Sequence, residues 1–208
     1  MKYYAVIDTN VLVSALITKK EGVATKRIWD YILDGTIVPL FNSDILAEYS
    51  AVLHREHFNI SPDSIDTVLE TFKVRGISCD ATTVPFDLID PDDTVFYAIS
   101  VSRDDAYLIT GNLRHFPKSS KIVSPAEMLQ IINLSNNKPG MLNDPQGLEY
   151  MSEQARALIQ RCQELVEKAR QQAIANGTAN MTMEEIDEEI RKARAERRLR
   201  KEMEKESL

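Results

Sequence analysis

Short β-branched and aromatic runs alternate with stretches of helical periodicity through the first 135 residues. Tyr3 to Ile7 has little polar alternation, which predicts a strand buried on both faces and ending at Asp8. Val11–Ile17 and Ala24–Leu33 read as helices, the second with an apolar stripe of Ile28, Trp29, Ile32 and Leu33 and a stop at Gly35. Thr36–Leu40 is the second predicted strand. Ser43 is placed to cap a helix running through His54 that buries Ile45, Leu46, Tyr49, Val52 and Leu53. Ser61-Pro62 opens another helix, with proline in its first turn, ending near Gly76. An irregular segment follows. Pro91-Asp92-Asp93 then starts a helix through Val101. Tyr107–Thr110 and Lys121–Val123 are further strands. Ser124-Pro125-Ala126-Glu127 combines a capping box with a proline start and launches a helix to about Ile132. Strands alternating with helices predict an α/β domain with a parallel sheet.

The pattern changes near Asn133. Residues 136–147, rich in Asn, Lys, Pro and Gly, read as a linker between a domain over 1–135 and a helical region over 148–208. One helix is predicted from about Leu148 to Ala175, stopping near Asn176-Gly177. Thr182-Met183-Glu184-Glu185 is a capping box for a second. That helix is acidic in its first turns and basic from Arg191 to Lys201, an order that complements the helix dipole. Its apolar stripe is thin, carried by Ile186, Ile190, Ala193, Leu199 and Met203, so it needs a partner surface.

With 208 residues the chain can bury a core without staples. Two cysteines cannot make a disulfide framework and point to a reducing compartment. No apolar run approaches membrane-spanning length, and the N-terminus lacks a signal-peptide pattern, so a cytoplasmic location is expected. The net charge of −7 argues against nucleic-acid binding by bulk positive charge. The negative charge is uneven: residues 1–135 carry 12 basic and 18 acidic side chains, residues 136–208 carry 13 and 14. An acidic pocket that holds divalent cations would still meet phosphate.

In an open α/β sheet, ligands collect beyond the carboxyl ends of the strands. Asp8 lies there, followed by Thr9 and Asn10. Thr110-Gly111-Asn112 follows a later strand, Asp93 begins a helix feeding that strand, and Glu48 sits on the second turn of the helix after strand two. Carboxylates around one pocket supply the hard oxygen ligands that Mg²⁺ or Mn²⁺ requires. Each residue also has a plain reading: Asp8 as a helix cap, Glu48 as an exposed helix residue, Asp92 and Asp93 as favourable charges at a helix N-terminus, Asn112 as a turn former.

The combination resembles the PIN domain, a family of metal-dependent ribonucleases that includes VapC-type toxins of bacterial toxin–antitoxin pairs. Val6-Ile7-Asp8-Thr9-Asn10-Val11-Leu12-Val13-Ser14-Ala15 is similar to the family's first motif and Ser43-Asp44-Ile45-Leu46-Ala47-Glu48-Tyr49 to its second. Asp90-Pro91-Asp92-Asp93-Thr94-Val95-Phe96-Tyr97-Ala98 is similar to the third, and Leu108-Ile109-Thr110-Gly111-Asn112-Leu113-Arg114-His115-Phe116-Pro117 to the closing one. The resemblance covers residues 1–132. It implies a PIN-like parallel sheet flanked by helices, Asp8, Glu48 and Asp93 as metal ligands, and Asn112 as a fourth catalytic position where the family often carries aspartate. Asp92 is the alternative to Asp93. It further implies Mg²⁺- or Mn²⁺-dependent hydrolysis of an RNA phosphodiester to a 5′-phosphate and a 3′-hydroxyl. Thr9, Asn10, Thr110 and Asn112 would orient carboxylates, water or phosphate.

Arg114 and Lys118, and further away Lys19, Lys20, Lys26 and Arg27, are candidate phosphate contacts. His115 reads as structural or RNA-contacting. The functional expectation is a ribonuclease acting as the toxin of a two-component system. The alternative is a catalytically weak PIN-fold RNA-binding or regulatory module. A receiver-like phospho-acceptor is a third class, but the acidic pair and late lysine it needs are missing. Expected partners are RNA, a second copy of the chain and a cognate antitoxin. For the C-terminal helices four roles stay open: a self-inhibitor covering the acidic pocket with arginine, an RNA-gripping arm, a dimerisation arm or a solvated tail.

Overall fold

The computed structural model describes residues 1–20, 22–136 and 151–206. Five parallel strands form one sheet, β1 (Tyr3–Ile7), β2 (Ile37–Phe41), β3 (Ile77–Ser78), β4 (Ala106–Ile109) and β5 (Ile122–Val123), in the order β3-β2-β1-β4-β5. The eight α-helices among the described residues are α1 (Thr9–Ile17), α2 (Ala24–Asp34), α3 (Ser43–Leu53), α4 (Pro62–Arg75), α5 (Thr94–Ser100), α6 (Pro125–Asn136), α7 (Glu153–Asn176) and α8 (Met183–Glu206). This is the α/β sheet flanked by helices that the alternating pattern predicts, followed by a helical C-terminal region. Val6, Ile7, Leu108 and Ile109 are fully enclosed, as expected for strands covered on both faces.

Several boundaries have clear local causes. Gly35 ends α2 with a positive φ of 83°, a backbone state that glycine reaches without a Cβ penalty. Ser61 caps α4 and Pro62 occupies its first turn. Both capping boxes close as predicted: Ser124 with Glu127 at the start of α6, and Thr182 with Glu185 at the start of α8.

The structure also corrects the sequence reading. Asn42, not Ser43, caps α3, its side chain accepting from the Ile45 backbone N–H at 2.9 Å. Either residue type can cap; the extended backbone at Asn42 decides which one does. The two-residue β3 extends the sheet beside β2 within the segment expected to be irregular. Pro91–Asp93 forms a separate 3₁₀ turn before α5. Helix α6 continues to Asn136, beyond the expected end at Ile132. The linker expected over 136–147 therefore lies outside the described residues except for Asn136, as does the expected helix start at Leu148. Helix α7 is described from Glu153, capped by Ser152.

The C-terminal helices share the core of the sheet domain. Helix α7 packs chiefly on α4 and also on α1, while α8 lies across α1 and α3. Ile159, Cys162, Val166, Ala169 and Ala173 of α7 and Ile186, Ile190 and Ala193 of α8 are buried in one cluster with Val68, Phe72 and Leu12. Fully burying a large apolar side chain contributes about 1.5–3 kcal/mol, so this contact is a substantial part of the fold. Arg170 of α7 donates from Nε and Nη2 to the carbonyl of Ala15 at 3.1 and 2.9 Å, satisfying an acceptor in the last turn of α1. Ile186, Ile190 and Ala193 of the thin stripe thus find the partner surface they require, whereas Leu199 and Met203, expected to share it, stay exposed beyond the contact.

Candidate active site

Strand β1 connects onward to β2 on one side and pairs with β4 on the other, so the chain reverses its strand order between β1 and β4. The crevice beyond the carboxyl ends of those two strands is where a doubly wound sheet binds ligands. Asp8 leaves β1 there, its backbone N–H donating to the Ile109 carbonyl of β4 at 2.9 Å. It is also the N-cap of α1, as its plain reading predicts, through a long 3.4 Å contact from the Asn10 N–H. Thr110 donates to Asp8 Oδ2 at 2.6 Å, and Thr9 donates to Glu48 Oε1 at 2.7 Å. The threonines expected to orient carboxylates therefore do so.

Glu48 is only 4% exposed, which rules out the reading of an ordinary surface glutamate. Asp93 is buried at the end of its 3₁₀ turn and points into the crevice, where His115 Nδ1 lies 3.0 Å from its Oδ2. Asn112 Nδ2 lies 2.8 Å from His115 Nε2, so a ring protonated at Nδ1 satisfies both contacts. Asp92 is half-buried and pairs with Arg198. Asp8, Glu48, Asp93 and Asn112 thus come together, and Asp92 faces away. Arg114 donates to Asn112 Oδ1 at 3.0 Å and lines the same cavity. Lys19 and Lys20 follow the far end of α1 from Asp8 and do not join the crevice.

Burial and the nearby Asp93 carboxylate push the Asp8 carboxyl up to about 7, against the stabilising bond from Thr110 and the charge of Arg194. Burial also raises Glu48, with Arg194 and Thr9 pulling the other way. A site that works this hard to ionise its carboxylates is short of positive charge.

Part of that charge comes from α8. Arg194, 7% exposed, donates from Nη2 to Glu48 Oε1 at 2.7 Å. Its Nη1 donates to Asp93 Oδ1 and Asp90 Oδ2, both at 2.8 Å. Two turns earlier on the same face, Asp187 enters the crevice. It accepts from Asn10 Nδ2 at 3.0 Å and from Asn112 Nδ2 at 3.2 Å. Arg55 of the sheet domain holds Glu189 and Glu196 of α8 from outside. The basic run Arg191–Lys201 signalled an arginine at the pocket, and Arg194 is that residue. Asp187 was missed, because acidic residues in a first turn are explained by the helix dipole. The signal was its position: Asp187 and Arg194 stand seven residues apart, flanking the stripe of Ile186, Ile190 and Ala193.

The crevice left beneath α8 is a cavity of about 130 Å³ lined by Asp8, Asn10, Asp93, Asn112, His115, Asp187 and Arg194 among others. That is well below the roughly 300–1,000 Å³ of ordinary small-molecule sites, too small for a nucleotide. In chemistry the donor set of Asp8, Glu48 and Asp93 suits a hard divalent cation. As the side chains stand, however, the described residues contain no group of three or more Asp, Glu, His or Cys arranged to hold a metal ion. The guanidinium of Arg194 lies between Glu48 and Asp93. No helix among the described residues is long and apolar enough to cross a membrane.

Comparison with known proteins gives one family. The PIN domain model matches residues 4–114, which contain Asp8, Glu48, Asp93 and Asn112. No curated protein and no solved structure gives a match.

Proposed function

The chain belongs to the PIN domain family, and from that premise we propose that it is a Mg²⁺- or Mn²⁺-dependent endoribonuclease, the toxin component of a toxin–antitoxin pair. PIN domains are generally nucleases, and PIN nucleases generally use divalent cations. One observation supports the reading most: three buried carboxylates from separate segments, Asp8, Glu48 and Asp93, meet where the strand order reverses, with Thr110, Thr9 and His115 each in contact with one of them.

Asp8, Glu48 and Asp93 would hold the cation. When bound, it lowers the pKa of water and offsets charge developing at a phosphodiester. The chain's own residues do the rest. Thr9 and Thr110 fix the carboxylates that would otherwise rotate, and His115 holds Asp93. Asn112, carrying amide donors instead of a negative charge, would face a phosphate oxygen without repelling it. Arg114, exposed at the rim of the cavity, is a cation placed to meet the RNA backbone. The proposed setting is cytoplasmic, with the protein working as a closed pair of identical chains controlled by an antitoxin.

The second reading, a PIN-fold RNA-binding or regulatory module, is favoured by the presence of Arg194 among the carboxylates. A mixed RNA pool incubated with the full chain and with Arg194→Met, with Mg²⁺ or Mn²⁺ and in chelator, separates the two. Cleavage that needs the cation, leaves 5′-phosphate ends and disappears in Asp8→Asn supports the ribonuclease. RNA retained without cleavage by both proteins at every cation concentration would mean the second reading is correct.

A further inference from the structure

Helix α8 presents two opposite charges to the crevice, and each meets its complement. Arg194 meets acids; Asp187 meets the amides of Asn10 and Asn112. A carboxylate at position 112 would stand within hydrogen-bond distance of Asp187 and repel it. The neutral donor there suits the helix, and the fit of both ends fixes the register of α8 over the site.

A cation held by Glu48 and Asp93 must come within about 2.0–2.6 Å of their oxygens. Glu48 Oε1 and Asp93 Oδ1 already accept from the two terminal nitrogens of Arg194. The guanidinium and the cation therefore compete for the same atoms and repel each other. Arg194 and Asp187 sit on one continuous helix, so undocking of that helix releases both contacts together and opens the small cavity.

We propose that α8 is an intramolecular competitor for the divalent cation, latched by Arg194 on Glu48 and Asp93 and by Asp187 on Asn10 and Asn112, so that cation and docked helix exclude one another. This rests on the reading of Asp8, Glu48 and Asp93 as cation ligands. The latch is built to open. Nε of Arg194 is buried and has no hydrogen-bond partner among the described residues, a deficit that makes the docked pose less favourable than a fully satisfied one. Helix α7 needs no such release: its buried residues touch α4 and α1 and none lines the crevice.

The test uses the full chain and two readouts other than cleavage: Mn²⁺ binding by electron paramagnetic resonance, and hydrogen exchange of the Ile186–Arg194 backbone by mass spectrometry. In wild type, exchange over Ile186–Arg194 is expected to rise in step with Mn²⁺ occupancy while Ile159–Ala173 of α7 stays protected. Arg194→Met should bind Mn²⁺ roughly tenfold more tightly or better, because the competent state no longer competes with the latch. Asn112→Asp should expose α8 to exchange even in chelator, and adding Asp187→Asn should restore protection by returning an amide–carboxylate pair. Protection of α7 serves as the folding control for every variant. Saturation of wild type with Mn²⁺ while α8 stays protected overturns the proposal and leaves the ribonuclease reading intact. Failure of the second change to restore protection overturns the Asp187 latch. Absence of Mn²⁺ binding in every variant, Arg194→Met included, overturns both the proposal and the metal-dependent reading.

Discussion

Arg194 Nη2 and Thr9 Oγ1 donate to the same oxygen of Glu48, each at 2.7 Å, although the arginine and the threonine lie at opposite ends of the chain. One atom is thus shared between the element that orients the carboxylate and the element that neutralises it. The contact is buried, where an unpaired charge is costly. Its loss would be felt by both the site and the fold.

The raised pKa of Asp8 makes stability pH-dependent in metal-free protein. The folded carboxyl ionises at about 7 and the ordinary one at 3.8. Between those values the folded state keeps the extra proton, so stability falls as pH rises through the window and then levels off. Asp8→Asn removes this loss. Thermal unfolding in chelator should show the variant gaining on wild type from pH 4 to pH 8, by a few kcal/mol at most. A difference that does not change with pH would show that Asp8 ionises normally.

Asp93 should matter more than Asp92. Asp93 is buried in the crevice, whereas Asp92 is half-buried and pairs with Arg198. With RNA cleavage as the readout, Asp93→Asn is expected to lose more than roughly 100-fold, beyond the range typical of supporting residues, and Asp92→Asn no more than about tenfold. Equal losses would return the ligand assignment to both residues.

Arg170 is a structural residue. Arg170→Met leaves the Ala15 carbonyl without its charged donor, at a cost of about 1.5–3 kcal/mol. For a chain of this size that corresponds to a drop of roughly 3–12 °C in unfolding temperature. An unchanged melting curve would mean that water replaces the guanidinium there.

Shortening the chain should act differently at two places. A chain ending at Met181 keeps α7 over the apolar face of α4 and is expected to fold. Its RNA cleavage should be faster than wild type. Slower cleavage with weaker salt dependence would identify α8 as an RNA-gripping arm. A chain ending at Asn136 removes Ile159, Val166 and Ala169 and uncovers the face of α4 on which α7 packs, and aggregation on expression is expected.

Self-association is expected from the proposed function, for which a closed two-fold pair is the default. Light scattering across the micromolar range should give twice the chain mass. A monomer throughout would remove the dimer from the proposed function.

The strands and most helices were legible because their signals are local: β-branched runs, capping boxes, proline starts. Asp8, Glu48, Asp93 and Asn112 were legible as a group because four short motifs that resemble those of the PIN domain carry them in order along an α/β pattern. Other features were hidden for physical reasons. The two residues of β3 carry too little pattern to declare a strand, and only pairing with Leu40 and Phe41 makes them one. Asn42 and Ser43 are both good caps, and the backbone chooses. Asp187 disappeared into a run of acids that the dipole of α8 already explains. Its partners, Asn10 and Asn112, lie far away in sequence, where no periodicity can reveal them.

The contact between Asn10 and Asp187 joins residues 177 positions apart. Every carboxylate that Arg194 engages, and both amides that receive Asp187, belong to the first 112 residues. At about 5–20 residues per second, a ribosome finishes that stretch on the order of ten seconds before it reaches Arg194. Each newly made molecule therefore passes through an interval in which its acidic crevice has been synthesised and the helix that covers it has not. Closure must wait until Arg194 has been made, and how fast α8 then finds its seat sets how long that interval lasts.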